Sequence, residues 1–171
     1  MNPNSSLRGI LMLLLILGLT ACGFHLRGLA DLSFQSIYIQ QGAAVSITSE
    51  LQRSLATNSV KVVNLPEQAE MQLELMGETT DKRTLSLSGA GRVREYELIY
   101  RVTFRTRSTS GETWSPPQTI ETRRDFTYDD TVLLAKQAEE TRLYNDMRSD
   151  AAREVLRRLS ALSSGKSTPA R

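Results

Sequence analysis

A lone thiol and a crowd of guanidinium groups are the side chains in this sequence best placed to do chemistry. Cys22, the only cysteine, closes Leu19-Thr20-Ala21-Cys22 at the end of an apolar run. Small residues ahead of a cysteine suit a signal peptidase, and the freed thiol can then carry a thioether-linked lipid. Arg8 supplies the basic start and Ile10 to Leu19 the apolar stretch. That stretch falls short of the about 20 apolar residues a spanning helix needs. Residues 1–21 therefore read as a removed lipoprotein signal, leaving Cys22 with S-diacylglycerol and N-acyl groups as its covalent lipid. The competing reading is a plain secretory signal that leaves a free thiol. Each buried methylene contributes about 0.8 kcal/mol of membrane affinity, so three acyl chains anchor firmly. In bacterial lipoprotein sorting an Asp after the cysteine marks inner-membrane retention; Gly23 stands there, which favours the outer membrane.

The second chemical feature is basic. Lys82, Arg83, Arg92, Arg94, Arg101, Arg105 and Arg107 share a stretch with only Asp81, Glu95 and Glu97, seven bases against three acids. Forked guanidinium groups match phosphate geometry, so such a cluster facing outward suits a phosphorylated ligand. The alternative is an ordinary solvated sheet face, partly neutralised by Glu95 and Glu97, whose charges discourage edge aggregation. The formal charge of the whole chain is only +2, so no global attraction to polyanions follows. Nucleic acid is a poor partner for a lipid-anchored envelope chain.

Catalysis finds little support. His25, the only histidine, lies three residues from Cys22, where no rigid scaffold can hold a base against a nucleophile. There is no Cys/His metal constellation, Walker loop or dinucleotide fingerprint, and Ser88-Gly89-Ala90-Gly91 lacks the strand–helix setting of a phosphate loop. Asp129-Asp130 and Glu139-Glu140 read as a helix cap and solvated helix charges. No enzyme activity, cofactor or metal is expected. With a single cysteine, no internal disulfide can hold the fold in an oxidising compartment.

The elements that must position these groups follow from periodicity. Residues 22–33 have no clear period and read as the lipidated N-terminus and a tether. Of 171 residues, 150 remain after the signal, enough for one core, and 34–162 read as a single domain. Ile37-Tyr38-Ile39 starts a strand; Ile47, Leu51 and Leu55 form one stripe of a helix that Asn58 stops. Val60, Val62 and Val63 suit a second strand, ended by Pro66. Met71, Leu73 and Leu75 alternate with Gln72 and Glu74. The most regular alternation, Tyr96, Leu98, Tyr100, Val102 and Phe104, predicts a long half-buried strand that pairs as a hairpin with a strand from Ile120 to Tyr128. Asp129 and Asp130 cap a long helix, helix-forming from Ala138, whose Leu143, Met147, Ala151, Val155, Leu159 and Leu162 share a face. Residues 163–171 read as a disordered tail. One apolar stripe per helix and half-buried strands predict an α+β two-layer sandwich, a four- to five-stranded sheet with two helices on one face. Arg101, Arg105, Arg107 and Arg123 then fall on the open, polar face.

Leu19-Thr20-Ala21-Cys22-Gly23-Phe24-His25-Leu26-Arg27 resembles the N-terminus of the lipopolysaccharide-assembly lipoprotein family, LptE. Glu95-Tyr96 before the long strand, Phe126 ahead of Asp129-Asp130, Leu134-Ala135-Lys136, and Asp150-Ala151-Ala152 in the last helix are similar in the same order. The resemblance implies an outer-membrane partner of the LptD β-barrel that fills part of its lumen, aids its assembly, binds lipopolysaccharide and supports its delivery to the outer leaflet. It implies a lipopolysaccharide contact at Lys136 and a second base, Arg92 or Arg94, before the Glu95-Tyr96 pair. The alternative is a pure scaffold that templates barrel folding without binding lipid.

Overall fold

In the computed structural model the described residues are 32–42, 46–108, 111 and 113–163. The signal, Cys22, His25 and residues 164–171 of the tail lie outside them. Strand β1 (Ser36–Gln41), helix α1 (Ser46–Thr57) and strand β2 (Lys61–Val63) come first. Long strands β3 (Met71–Leu87) and β4 (Val93–Ser108), strand β5 (Gln118–Thr127) and helix α2 (Leu133–Ser163) follow. Short 3-10 turns at Pro66–Gln68 and Asp130–Val132 lead into β3 and α2. The sheet order is β2-β1-β3-β4-β5; β1 is parallel to both neighbours, and β3, β4 and β5 form an antiparallel meander. The protein is thus the expected α+β sandwich, with five strands and both helices on one face.

The core forms where the two helical stripes meet the sheet. Ile47, Leu51 and Leu55 of α1 and Met147, Ala151, Val155 and Leu159 of α2 are fully buried against Ile37, Leu73, Leu75, Leu98, Tyr100, Val102 and Phe104. Those strand residues alternate, so one sheet face is apolar and the other is free for charge. Leu162, expected on the same stripe, stands 40% exposed; the buried part of α2 ends at Leu159.

Two local devices shape the short elements. Helix α1 stops where Asn58 Nδ2 donates to the Ser54 carbonyl (2.7 Å) and Ser59 takes a left-handed φ of 60°, a helix-ending conformation. Strand β1 ends at Gly42, whose N–H donates to the Leu75 carbonyl at 3.1 Å. A Cβ there would lie 2.6 Å from that same oxygen, a backbone collision that glycine avoids.

The sequence reading ends the third strand near Leu75, but β3 continues to Leu87. Beyond Leu75 most side chains are exposed, so there is no buried face to produce an alternating signal. Pairing with β4 through Leu87↔Val93 holds this part, with register shifts at Leu75/Gly77, Thr84/Ser86 and Ser86/Leu87. β1 pairs only Met71 to Leu75. The distal hairpin therefore projects past the parallel part of the sheet, and its turn closes through Ser88 N–H to Arg92 O (2.7 Å) and Gly91 at φ 75°. Helix α2 starts at Leu133, just after the Asp129-Asp130 cap expected ahead of it, and at 31 residues spans about 46 Å. Its first turns cover the projecting hairpin, where Tyr144 and Glu140 reach Asp81 and Lys82.

Candidate functional site

The basic stretch separates into three groups. On the open face Arg83 meets Glu97 at 2.6 Å, Arg101 meets Asp81 at 2.6 Å and also Glu121, Arg105 meets Glu74, and Arg123 meets Glu121 at 2.5 Å. Arg107 donates to the Gln72 amide oxygen at 2.7 Å, and Trp114 lies 4.8 and 4.7 Å from the Arg105 and Arg107 guanidinium carbons. Hydrogen bonds from Arg123 first, and then Arg101, also hold the Glu121 carboxyl below the ordinary carboxylate range. Here the solvated-face reading prevails: the carboxylates of Glu74, Asp81, Glu97 and Glu121 answer the arginines across the strands.

The second group is the hairpin turn. Arg92 is highly exposed and its guanidinium lies 3.7 Å from Asp130. The Arg94 guanidinium makes no ion pair among the described residues, while its carbonyl accepts from Tyr128 N–H at 2.8 Å. Lys136, on the first turns of α2, pairs with Glu139 at 2.9 Å and sits 5.3 Å from the Phe126 ring centre. Asp129 accepts from the Thr131 N–H (2.9 Å) and hydroxyl (2.7 Å), capping the turn into α2. The structure thus brings Lys136 and Arg92 to one end of the molecule, around the Asp129-Asp130 turn, with Arg94 on the adjoining strand.

Hydrogen bonding from Thr131, backbone first and then hydroxyl, with the Lys136 charge adding to it, holds the Asp129 carboxyl below its ordinary value. A depressed folded pKa means stability present above the unfolded carboxyl pKa, about 4, and lost as pH falls through the folded value. Melting curves of wild type and Asp129→Ala should therefore differ at pH 6 and converge as the buffer is taken below about pH 4. A gap that stays constant into acid would remove the charged cap from the account.

Lys82 is the third group, and unlike its neighbour Arg83 it turns away from the open face. Its ammonium lies on the helix face, 4.2 Å from the Tyr96 ring centre, 5.5 Å from Tyr128 and 5.6 Å from Phe126, and pairs with Glu140 of α2 at 2.5 Å. The bulge after Leu75 inverts side-chain parity: Leu75 and Lys82 both face the helices although they stand seven positions apart. Alternation alone puts those two on opposite faces. The same end exposes Val132, Leu133 and Leu134, the last at 81%. It therefore combines cations, aromatic rings and uncovered apolar side chains.

Residues 34–159 match the family profile LptE, lipopolysaccharide-assembly. The chain belongs to the LptE family. An LPS-assembly lipoprotein LptE of Yersinia enterocolitica is 27% identical over 157 residues, covering 88% of this chain and 75% of that one. Lipoprotein B from Nitrosomonas europaea, solved in solution, superimposes with a TM-score of 0.72 at 41% identity, over 84% of this chain and 94% of that chain. The rare lipoprotein B from Shewanella oneidensis superimposes at 0.68 with 30% identity, over 76% and 97%. LptE membership makes this an envelope lipoprotein with an accessory, non-enzymatic part in lipopolysaccharide assembly. Among the described residues no helix is long and apolar enough to cross a membrane.

Proposed function

We propose that this LptE-family chain is the outer-membrane lipoprotein partner of an LptD-type β-barrel and binds lipopolysaccharide while supporting its delivery to the outer leaflet. Acyl groups on Cys22 tether the domain at the periplasmic leaflet, and part of the domain enters the barrel, helping it to assemble. The paired charges of the open sheet face suit a polar lumen wall. Lys136, with Arg92 or Arg94, then contacts phosphates of the lipid. One observation carries the lipid-binding reading: cationic Lys136 and Arg92 share an end with exposed Val132, Leu133 and Leu134. An amphiphile with an anionic head and apolar tails needs both kinds of surface together.

The test is Lys136→Asp with Arg92→Asp in the full-length lipidated chain. Lipopolysaccharide binding should fall about tenfold or more, the size expected for lost charge-assisted contacts, while a large β-barrel still co-purifies in detergent. Unchanged binding with the fold intact overturns the site. Loss of the barrel with lipid binding retained favours the pure scaffold reading, in which these bases meet barrel carboxylates.

A further inference from the structure

Between the projecting hairpin and the first turns of α2 lies a cavity of about 350 Å³, lined by Lys82, Tyr128, Leu133, Gln137, Glu140 and Tyr144 among others. We propose that it receives a phosphorylated sugar headgroup, that Lys82 is a cationic ligand of that phosphate, and that Glu140 holds the phosphate's place in the free protein. The inference rests on the lipopolysaccharide-binding reading and names a binding residue and a competing group within it.

Three features support it. First, Lys82 is fixed before any ligand arrives. Three aromatic rings surround its ammonium, the nearest at 4.2 Å, and the rotamer entropy of a long flexible side chain is already lost. Binding through such a group avoids an ordering cost that a free surface lysine incurs. Second, its counter-ion is replaceable. The Lys82–Glu140 pair opens onto the cavity, with side chains 30% and 24% exposed, so an entering phosphate meets the pair directly. A phosphate brings nearly two negative charges and three strong acceptor oxygens where a carboxylate has one charge, so exchange favours it, and Glu140 is released toward water. Third, a second lysine approaches the same aromatic ring: the Lys136 ammonium lies 5.3 Å and that of Lys82 5.6 Å from the Phe126 centre. Each lysine carries one glutamate partner, Glu139 or Glu140. A polyanionic headgroup can displace both carboxylates, which two independent monovalent anions do less readily.

The remaining lining fits a sugar. Tyr144 donates its hydroxyl to the Asp81 carbonyl at 2.8 Å, leaving the oxygen able to accept, and the Gln137 amide offers both donor and acceptor. Leu133 places apolar surface at the rim, continuous in sequence with exposed Val132 and Leu134. The alternative is that Lys82–Glu140 merely straps α2 to the sheet. A strap and a displaceable pair respond oppositely when the acid is neutralised.

The experiment measures binding of the full chain to lipopolysaccharide, to the same lipid after removal of its phosphates, and to inorganic phosphate alone. Glu140→Gln, which keeps size and helix position, should tighten binding to the phosphorylated lipid several-fold and leave the dephosphorylated lipid unaffected. Lys82→Met, whose unbranched stem still fills the aromatic cluster, should weaken the phosphorylated lipid about tenfold. Should Lys82→Met prove unstable, Glu140→Gln decides alone. Both variants binding as wild type, while Lys136→Asp with Arg92→Asp loses the lipid, overturns the cavity assignment and leaves the proposed function standing. No lipid binding by wild type removes both. Inorganic phosphate binding as tightly as the lipid overturns the headgroup assignment in favour of a free-phosphate site.

Discussion

Glu78→Ala is expected to destabilise the fold by about 3 kcal/mol or more, the range for stripping one partner from a buried ion pair. The Glu78 side chain is only 9% exposed and its carboxylate serves four donors. It accepts from the Tyr100 hydroxyl at 2.9 Å and Arg148 Nε at 3.0 Å. It also accepts from the backbone N–H groups of Ser46 and Ile47 at 3.1 and 3.2 Å. Helix α1 has no acid in its own first turn, so this carboxylate, more than thirty residues away in sequence, supplies the negative charge its N-terminus favours. Alanine leaves Arg148, 20% exposed, with Asn145 alone and no anionic partner, leaves the buried Tyr100 hydroxyl without its acceptor, and uncaps α1 in the same step. Burial first, and then the Glu78 charge, push the Tyr100 phenol far above its ordinary value, so it remains a donor throughout the accessible range. Urea unfolding reads the loss. Glu78→Gln should recover part of it, since an amide oxygen still accepts but offers Arg148 no charge. A Glu78→Ala loss below about 1 kcal/mol, the value of a surface pair, would show that these contacts are not cooperative.

Phe126→Ala should cost about 3–5 kcal/mol, the usual range for emptying an aromatic site in a core. Phe126 is 1% exposed on the helix face of β5, opposite Tyr96 in register. Its ring also meets Tyr128 edge to face with centres 6.3 Å apart. The loss reaches the candidate site, because the Lys82 and Lys136 ammoniums both lie within 6 Å of this ring, where a cation gains about 0.5–2 kcal/mol from the aromatic face. Phe126→Leu separates the two effects: it retains much of the apolar volume and removes the π face. Thermal melts should then show a smaller loss than for alanine, while lipopolysaccharide binding still declines. Equal binding by Phe126→Leu and wild type would make the ring a packing element alone.

Lys136 and Arg92 entered through a resemblance, and the structure sets them around the Asp129-Asp130 turn. Glu78 left no signal: a single acid in a polar stretch looks like any solvated glutamate, and its four donors come from α1, β4 and α2. Lys82 was grouped with Arg83 because they are adjacent, yet in a strand adjacency means opposite faces. Glu140 reads in sequence as a solvated helix acid, because its partner Lys82 lies 58 residues away on the hairpin beneath the helix.

Residue spacing by itself determined the layers of this protein. Alternation in β4 and the stripes of Ile47, Leu51, Leu55 and of Met147, Ala151, Val155, Leu159 each demand one buried side, and a sheet with helices on that side satisfies all of them. Spacing also determined the charged character of the open face. Only the tertiary structure decided which acid answers which base and which lysine turns inward. One extra residue in a strand moves every later side chain to the other face. The bulge after Leu75 does this as far as the next register shift, at Thr84/Ser86, across residues 78–84, which carry no apolar side chain to mark the change.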